Sequence, residues 1–259
     1  MTSAAAALAG MQAARLDGRA WPMPEGWNQG RTAYGGFSAM MAYDAAASVT
    51  DDLPPLQSAQ VSFVGPVSGD LSTQARILRR GRNSAFVQAD LLADGQIVLT
   101  GTFIFMNWRP SHVDQHPEAP TGIPPIPGDD EIRIGSSRFF TQRMEFHKDK
   151  RHSHPGSHVT QGWIRLADRE HLDPVAELIC LGDAMPPGAI GLIVDPTNVS
   201  SMNWQINVLT ERPETENGWL YLRSEAHFTR QGLSSQFMHV WNSRLELVAT
   251  GMQAMAFFG

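Results

Sequence analysis

The strongest constraint on the fold is an internal repeat, in which residues 77–105 and 228–257 carry the same landmarks in the same order. The landmarks are a glycine, a serine, a phenylalanine and a Thr-Gly pair, found as Gly81, Ser84, Phe86 and Thr100-Gly101 and again as Gly232, Ser235, Phe237 and Thr250-Gly251. The offset is 151 residues at the phenylalanines and 150 at the Thr-Gly pairs, which predicts one residue lost where Asp94-Gly95 faces Ser243-Arg244. Such self-similarity indicates two copies of one structural unit.

Each copy is predicted to form antiparallel strands, because β-forming residues alternate between turns rich in glycine. The predicted strands are 59–64, 71–79, 85–92 and 97–106 in the first copy and 202–209, 219–229, 236–244 and 247–257 in the second. One mostly apolar helix precedes each set, at about 36–49 and from Asp173-Pro174 to the stop at Pro186-Pro187. The predicted fold class is therefore α+β, a tandem double hot-dog in which each half is a curled antiparallel sheet wrapped on one central helix.

A proline-rich segment separates the two copies. Six prolines lie between Arg109 and Asp130, and no regular element fits a stretch of that composition. The predicted domains are an N-terminal hot-dog at residues 1–108, a linker at 109–130 and a C-terminal hot-dog at 131–259, which carries the active-site residues.

Composition excludes several functional classes. A formal net charge of -6 without a basic stripe argues against a nucleic-acid partner. The single cysteine, Cys180, permits no internal disulfide and favours a cytoplasmic location. No apolar run approaches the roughly 18–20 residues of a membrane span. The alanine-rich residues 3–9 lack the charged start of a secretion signal and fit a frayed or amphipathic helix better.

Several motifs occur in an order that points to one family. The first half contains Tyr34-Gly35-Gly36, Ser62-Phe63 with Pro66 and Gly69, and the run 78–82 (LRRGR); the second half contains Leu181-Gly182-Asp183, Ser201 and the run 247–253 (LVATGMQ). With these motifs the chain resembles the acyl-CoA thioesterase II family of double hot-dog enzymes over nearly its whole length. The resemblance implies hydrolysis of acyl-CoA thioesters to free acid and CoA, within lipid metabolism.

The resemblance also implies three catalytic residues. Family members carry an aspartate on the second helix, a hydroxyl residue opening the next strand and a glutamine on the last strand, and Asp183, Ser201 and Gln253 occupy those places. Counting back from Trp219 selects Ser201, and the neighbouring Ser200 remains an alternative.

These residue types suit the activation of water. A carboxylate buried against a sheet loses hydration, which raises its proton affinity and makes it a useful base. A serine hydroxyl and a glutamine amide both donate and accept hydrogen bonds, so they can hold a water or the thioester oxygen in one orientation. Gln253 aligns with the apolar Phe103 of the first copy, which predicts one active site per chain.

Other residues are candidates for substrate binding. Arg79, Arg80 and Arg82 surround a glycine turn and can hold CoA phosphates, although a solvated hairpin explains them equally well. Gly35 and Gly36 open a helix whose N–H groups a ligand can approach, and close helix–sheet packing explains them nearly as well. Met40, Met41, Phe63 and Met185 are expected to shape the acyl pocket.

Neither a metal nor a cofactor is expected. His147, His152, His154 and His158 lack the spacing of a known metal site, and an exposed hairpin is favoured. Cys180 is predicted to be a buried thiol, and no Gly-x-Ser-x-Gly motif supports an acyl-enzyme.

Two rival functions remain open. A non-catalytic acyl-CoA binder would keep the fold with a degraded site. An enoyl-thioester hydratase would want an Asp–His pair on one helix, and neither predicted helix carries one. The expected partner is the acyl-CoA substrate, and a homodimer is possible because sheet edges often pair between chains.

Overall fold

The computed structural model describes residues 2–148, 153–195, 197–213 and 215–258. Its α-helices are α1 (Ala4–Leu16), α2 (Gly35–Ala47) and α3 (Pro174–Gly182). The strands of the first half are β1 (Trp21–Pro22), β2 (Asn28–Gln29), β3 (Thr32–Ala33), β4 (Leu56–Phe63), β5 (Asp70–Arg80), β6 (Ser84–Ala93) and β7 (Gln96–Met106). Those of the second half are β8 (Ile132–Ile134), β9 (Met144–His147), β10 (Val159–Leu166), β11 (Asn198–Val208), β12 (Leu220–Arg230), β13 (Leu233–Trp241) and β14 (Leu247–Phe258).

Twelve of these strands form one antiparallel sheet in the order β1-β5-β6-β7-β4-β11-β14-β13-β12-β10-β9-β8, and β2 and β3 form a separate ribbon. The two halves meet where β4 pairs with β11, with Gln60 opposite Gln205 at the centre of the pairing. The order β5-β6-β7-β4 on one side therefore mirrors β12-β13-β14-β11 on the other. This arrangement agrees with the repeat seen in the sequence.

The register corrects the predicted alignment of the two copies. Thr100 pairs with Asp90 and Thr250 pairs with His239, so Phe237 corresponds to Gln88 and not to Phe86. The cause lies in the turns. The connection between β5 and β6 comprises residues 81–83, whereas the connection between β12 and β13 comprises only residues 231–232. The second connection, 242–246, is longer than Asp94-Gly95, so the prediction of a residue lost there is wrong.

Helices α2 and α3 lie against the inner face of the sheet and contact each other. Helix α2 packs on β5, β6 and β7, and its apolar residues are buried almost all round, including Phe37, Met40 and Met41. Helix α3 is capped by Asp173, whose side chain accepts from the N–H groups of Val175 and Ala176. The packing of α2 on α3 places the start of one helix beside the end of the other.

Two further segments cover the sheet. The N-terminal helix α1 buries an alanine-rich face with Leu8 and Met11 against α2 and β5, so it is amphipathic and packed rather than frayed. In the proline-rich segment, residues 107–128 are all described and contain no helix or strand. That segment packs on a cluster of aromatic residues, where the Trp163 Nε1 donates to the Pro124 carbonyl at 2.8 Å. Within the described residues, every helix is too short or too polar to cross a membrane.

Candidate functional site

Asp183 lies at the C-terminal end of α3, where it is the C-cap residue. The prolines at 186 and 187 follow closely and prevent the helix from continuing. Its carboxylate accepts a hydrogen bond from the backbone N–H of Gly36, in the first turn of α2. The positive end of the α2 dipole therefore faces this carboxylate.

Tyr34 holds the two helix ends together. Its hydroxyl donates to the Cys180 carbonyl in the last turn of α3 at 2.7 Å, and its ring stacks on Phe140 with centroids 3.8 Å apart. A Cβ at position 36 would overlap that same carbonyl, so only glycine permits this approach. This contact between the helix ends places the Gly36 N–H beside the Asp183 carboxylate.

Gln253 joins Asp183 to a hydroxyl group. Its side-chain Nε2 donates to Asp183 Oδ1 at 2.8 Å and to Ser201 Oγ at 2.9 Å. Gln253 is 2% exposed and lies on β14 between β11 and β13. The three residues, separated by up to 70 positions in sequence, thus meet at one point.

A β-bulge explains why Ser201 rather than Ser200 faces this point. Opposite β14, the register of β11 shifts between Ser201 and Asn203, so Met202 is the extra residue. Regular alternation from the buried Trp204 would turn Ser200 inward, but the inserted residue reverses the faces beyond it. Accordingly Ser200 is exposed and the Ser201 hydroxyl contacts Gln253.

Burial changes the acidity of Asp183. Loss of hydration raises the pKa of its carboxyl from the ordinary 3.8 to about 7, and the hydrogen bonds from Gln253 and the Gly36 N–H oppose this rise. A carboxyl group with a pKa near neutrality can accept and release a proton at physiological pH. Asp183 is therefore suited to act as a general base.

The three side chains open onto a pocket of about 930 Å³. Its wall contains both apolar and polar residues, among them Gly35, Phe63, Phe139, Arg133, Met185 and Thr141. The volume is that of a site for an extended small molecule. A water or a carbonyl group in this pocket can reach the carboxylate and the hydroxyl together.

The predicted binding residues divide into two groups. Gly35 lines the pocket and Gly36 contributes the N–H described above. Arg79, Arg80 and Arg82 do not belong to the described lining; they lie at the turn between β5 and β6, and Arg80 pairs with Asp52 at 3.0 Å. Phe63 and Met185 line the pocket, whereas Met40 and Met41, on α2 itself, are fully buried and do not belong to the described lining.

Among the residues that the structure describes, the histidines and the cysteine do not form a second centre. No group of three potential metal ligands occurs among the described residues. His147 is buried on β9, contrary to the expected exposed hairpin, and His152 lies outside the described residues. Cys180 is buried as expected, and burial raises the pKa of its thiol well above the ordinary value.

Two residues at the site were not predicted from the sequence. Gln236 on β13 hydrogen-bonds to Gln253, and Arg133 on β8 lines the pocket. Gln236, Met238 and Val240 are alternate residues of β13 and are all buried. A polar residue in this otherwise apolar series was the sequence feature that could have identified Gln236. Arg133 gave no signal, because β8 has only three residues.

Comparison with known proteins identifies related folds and domains. Residues 23–106 match the model of the acyl-CoA thioesterase N-terminal domain, and residues 113–257 match that of the acyl-CoA thioesterase C-terminal domain. A search of curated proteins found no match.

Solved structures extend the comparison over nearly the whole chain. A candidate thioesterase II from Thermobifida fusca shares 26% identity at a TM-score of 0.75, covering 93% of this chain and 92% of its own. A hot-dog protein of unknown function from Alicyclobacillus acidocaldarius has 19% identity and a TM-score of 0.78, with the same coverage. An acyl-CoA thioesterase II from Mycobacterium marinum has 17% identity and a TM-score of 0.68, covering 87% of this chain and 89% of its own. The last two show that the fold is a hot-dog fold.

Proposed function

The chain belongs to the acyl-CoA thioesterase II-like family, and from this premise we propose that it hydrolyses acyl-CoA thioesters to a free acid and CoA. Membership supports an enzyme of the thioesterase class. The observation that carries the finer proposal is the contact of Asp183, Gln253 and Ser201 at one pocket, with the pKa of the carboxyl raised to about 7.

In the proposed reaction Asp183 is the general base. Its carboxylate removes a proton from a bound water while the water oxygen attacks the thioester carbonyl carbon. The carbon–sulfur bond then breaks, and CoA leaves as the thiolate, which takes up the proton. The products are one carboxylic acid and one CoA thiol, and water supplies the added oxygen and hydrogens.

Ser201 and Gln253 orient the reacting groups in this proposal. Ser201 Oγ accepts from Gln253, so the hydroxyl hydrogen is available to donate toward the water or the thioester oxygen. Both hydrogens of the Gln253 amide point to Asp183 and Ser201, so Gln253 acts by positioning these two groups. We assign the developing oxyanion to the Gly35 N–H, which has no acceptor within its own helix.

The CoA part of the substrate requires a cation. Among the described residues that line the pocket, the ionisable side chains are Arg133 and Asp183. The Arg133 guanidinium also lies 4.9 Å from the centre of the Phe146 ring, which also lines the pocket. We therefore assign a CoA phosphate to Arg133, and a phosphate role for Arg79, Arg80 and Arg82 stays a prediction.

The proposal is tested by measuring free-thiol release from acyl-CoAs of short, medium and long chains. We expect hydrolysis of at least one chain length, with kcat/KM falling about tenfold per pH unit below pH 7, because protonated Asp183 cannot act as a base. Activity that stays level down to pH 5 would contradict the assignment of the base. Tight binding of acyl-CoA without hydrolysis at any chain length would instead indicate a binding protein.

Arg133 is tested by comparing two substrates that share an acyl group. In Arg133→Gln, we expect the KM for acyl-CoA to rise about tenfold, as for loss of one charge-assisted contact. The KM for the acyl-N-acetylcysteamine thioester, which lacks phosphates, should not change. Arg76→Gln is the matched control, because Arg76 is exposed on β5 and bonds to Gln88. If Arg79→Gln or Arg82→Gln shows the selective loss and Arg133→Gln does not, the phosphate site lies at the β5–β6 turn.

We further propose that the two halves are hot-dog domains in tandem, at 1–108 and 131–259, joined by the linker at 109–130. The mirrored strand order and the pairing of β4 with β11 support this division. A homodimer and a cytoplasmic location stay predictions.

A further inference from the structure

Gln236 lies directly behind the candidate site. It is 1% exposed on β13, opposite Gln253 in the pairing with β14. Its Nε2 donates to Gln253 Oε1 at 2.7 Å, and its Oε1 accepts from the backbone N–H of Gly188 at 2.8 Å. Gln236 therefore links the site to the main chain just after α3.

The donors and acceptors of these hydrogen bonds can be assigned in only one way. A backbone N–H can donate but cannot accept, so the oxygen of Gln236 must face Gly188 and its amino group must face Gln253. Gln253 must then accept through its oxygen, which turns its own amino group toward Asp183 and Ser201. Gly188 is itself fixed, because a Cβ there would lie 2.5 Å from the Ala226 nitrogen and 2.9 Å from the Ser224 oxygen.

The same place in the first half shows that the sheet does not need polar residues there. Phe103 occupies the position of Gln253 and pairs with Val87, which occupies the position of Gln236. Both apolar residues are fully buried. The two glutamines thus replace an apolar pair as a unit, and they do so only in the half that carries Asp183.

We infer that Gln236 is a positioning residue, which fixes the Gln253 amide so that it donates to Asp183 and Ser201. The catalytic part of this inference rests on the proposed function. Without Gln236, the Gln253 amide can rotate and present its oxygen to the carboxylate. The stabilising hydrogen bond to the ionised form of Asp183 is then lost.

The first test is Gln236→Met, which keeps the length of the side chain and removes both hydrogen bonds. We expect kcat to fall about tenfold with KM little changed, and the acid limb of the pH profile to move up by about one unit. The direction follows because the Gln253 bond lowers the pKa of Asp183, so its loss raises that pKa. A merely structural role would lower kcat without moving the acid limb.

The second variant is Gln236→Glu. At a pH high enough to ionise it, the buried glutamate still accepts from the Gly188 N–H, but it also demands a donor from Gln253, which reverses the Gln253 amide. We expect a larger loss of kcat than in Gln236→Met. If Gln236 only anchors the backbone, Gln236→Glu should be the milder change, which would overturn the inference.

Met238→Leu is the matched control, since Met238 is the next inward residue on β13 and is buried. It should leave the pH profile unchanged. An NMR titration of the Asp183 carboxyl in wild type and Gln236→Met provides a readout without substrate. If the wild type proves inactive, the proposed function fails, while an unchanged Asp183 pKa in Gln236→Met would refute the positioning role separately.

Discussion

Replacing Asp183 by asparagine is expected to lower kcat/KM for acyl-CoA hydrolysis by about a thousandfold, because general base catalysis contributes on that order. Asparagine has nearly the same shape and keeps an oxygen that can accept from Gln253, but it cannot take a proton from water. The measurement is free-thiol release at pH 8, where the wild-type carboxyl is ionised. KM should change little, since the pocket wall stays in place.

The same variant has an expected effect on stability. Between the ordinary pKa of 3.8 and the folded value of about 7, the folded protein holds a proton that the unfolded chain has released. Stability therefore falls as pH rises through this window, by roughly 4 kcal/mol when complete. Asparagine does not ionise and therefore avoids this loss of stability. At pH 8 the Tm of Asp183→Asn should thus exceed that of wild type by several degrees.

Asp70→Asn provides the control for both measurements, because Asp70 is exposed at the start of β5. It should retain wild-type activity and Tm. Full activity in Asp183→Asn would remove the base from the mechanism. Lost activity with the same Tm difference from wild type at pH 5 and at pH 8 would show that the carboxyl is not held at a raised pKa.

The sequence predicts much of this fold because its signals are local. Alternating strands, glycine turns and the Asp173-Pro174 helix start all act within a few residues. Both edges of the sheet were missed. Strands β1, β8 and β9 have only two, three and four residues, too few for detectable alternation. Strand β10 has eight residues, but residues 162–164 are buried in succession, which interrupts the alternation. The two copies were aligned out of register on β13, because turn lengths differ and similar residues flank both turns.

The site was harder to predict from the sequence than the fold, because its geometry depends on contacts across the sheet. The choice between Ser200 and Ser201 depends on a bulge at Met202, and no local residue pattern marks that bulge. The direction of the Gln253 amide depends on the Gly188 N–H, which only the fold brings to Gln236. Asp183 was selected by the family resemblance, because its place at the end of an apolar helix, before two prolines, is equally typical of a helix-capping residue without chemistry.

Gly35 is the second position where a small change should have a large effect. A Cβ added there would overlap Asp183 Oδ2 and lie 3.2 Å from the Phe63 ring. The carboxylate cannot retreat without breaking its bonds to Gln253 and to the Gly36 N–H. In Gly35→Ala we therefore expect the carboxylate to move, and kcat to fall about a hundredfold, as for a misplacement of about 1 Å.

Gly81→Ala separates this effect from the general cost of replacing a glycine. Its Cβ would meet only Ser84 atoms, at 3.5 Å, which is ordinary contact, so activity should persist. The informative comparison is Gly35→Ala combined with Asp183→Asn. If alanine acts by displacing the carboxylate, it adds little loss once the carboxylate is gone. If instead the losses of kcat in the two single variants multiply, Gly35 contributes through its own N–H or through the shape of the pocket. The close approach to Asp183 would then not be the reason that glycine is required at position 35.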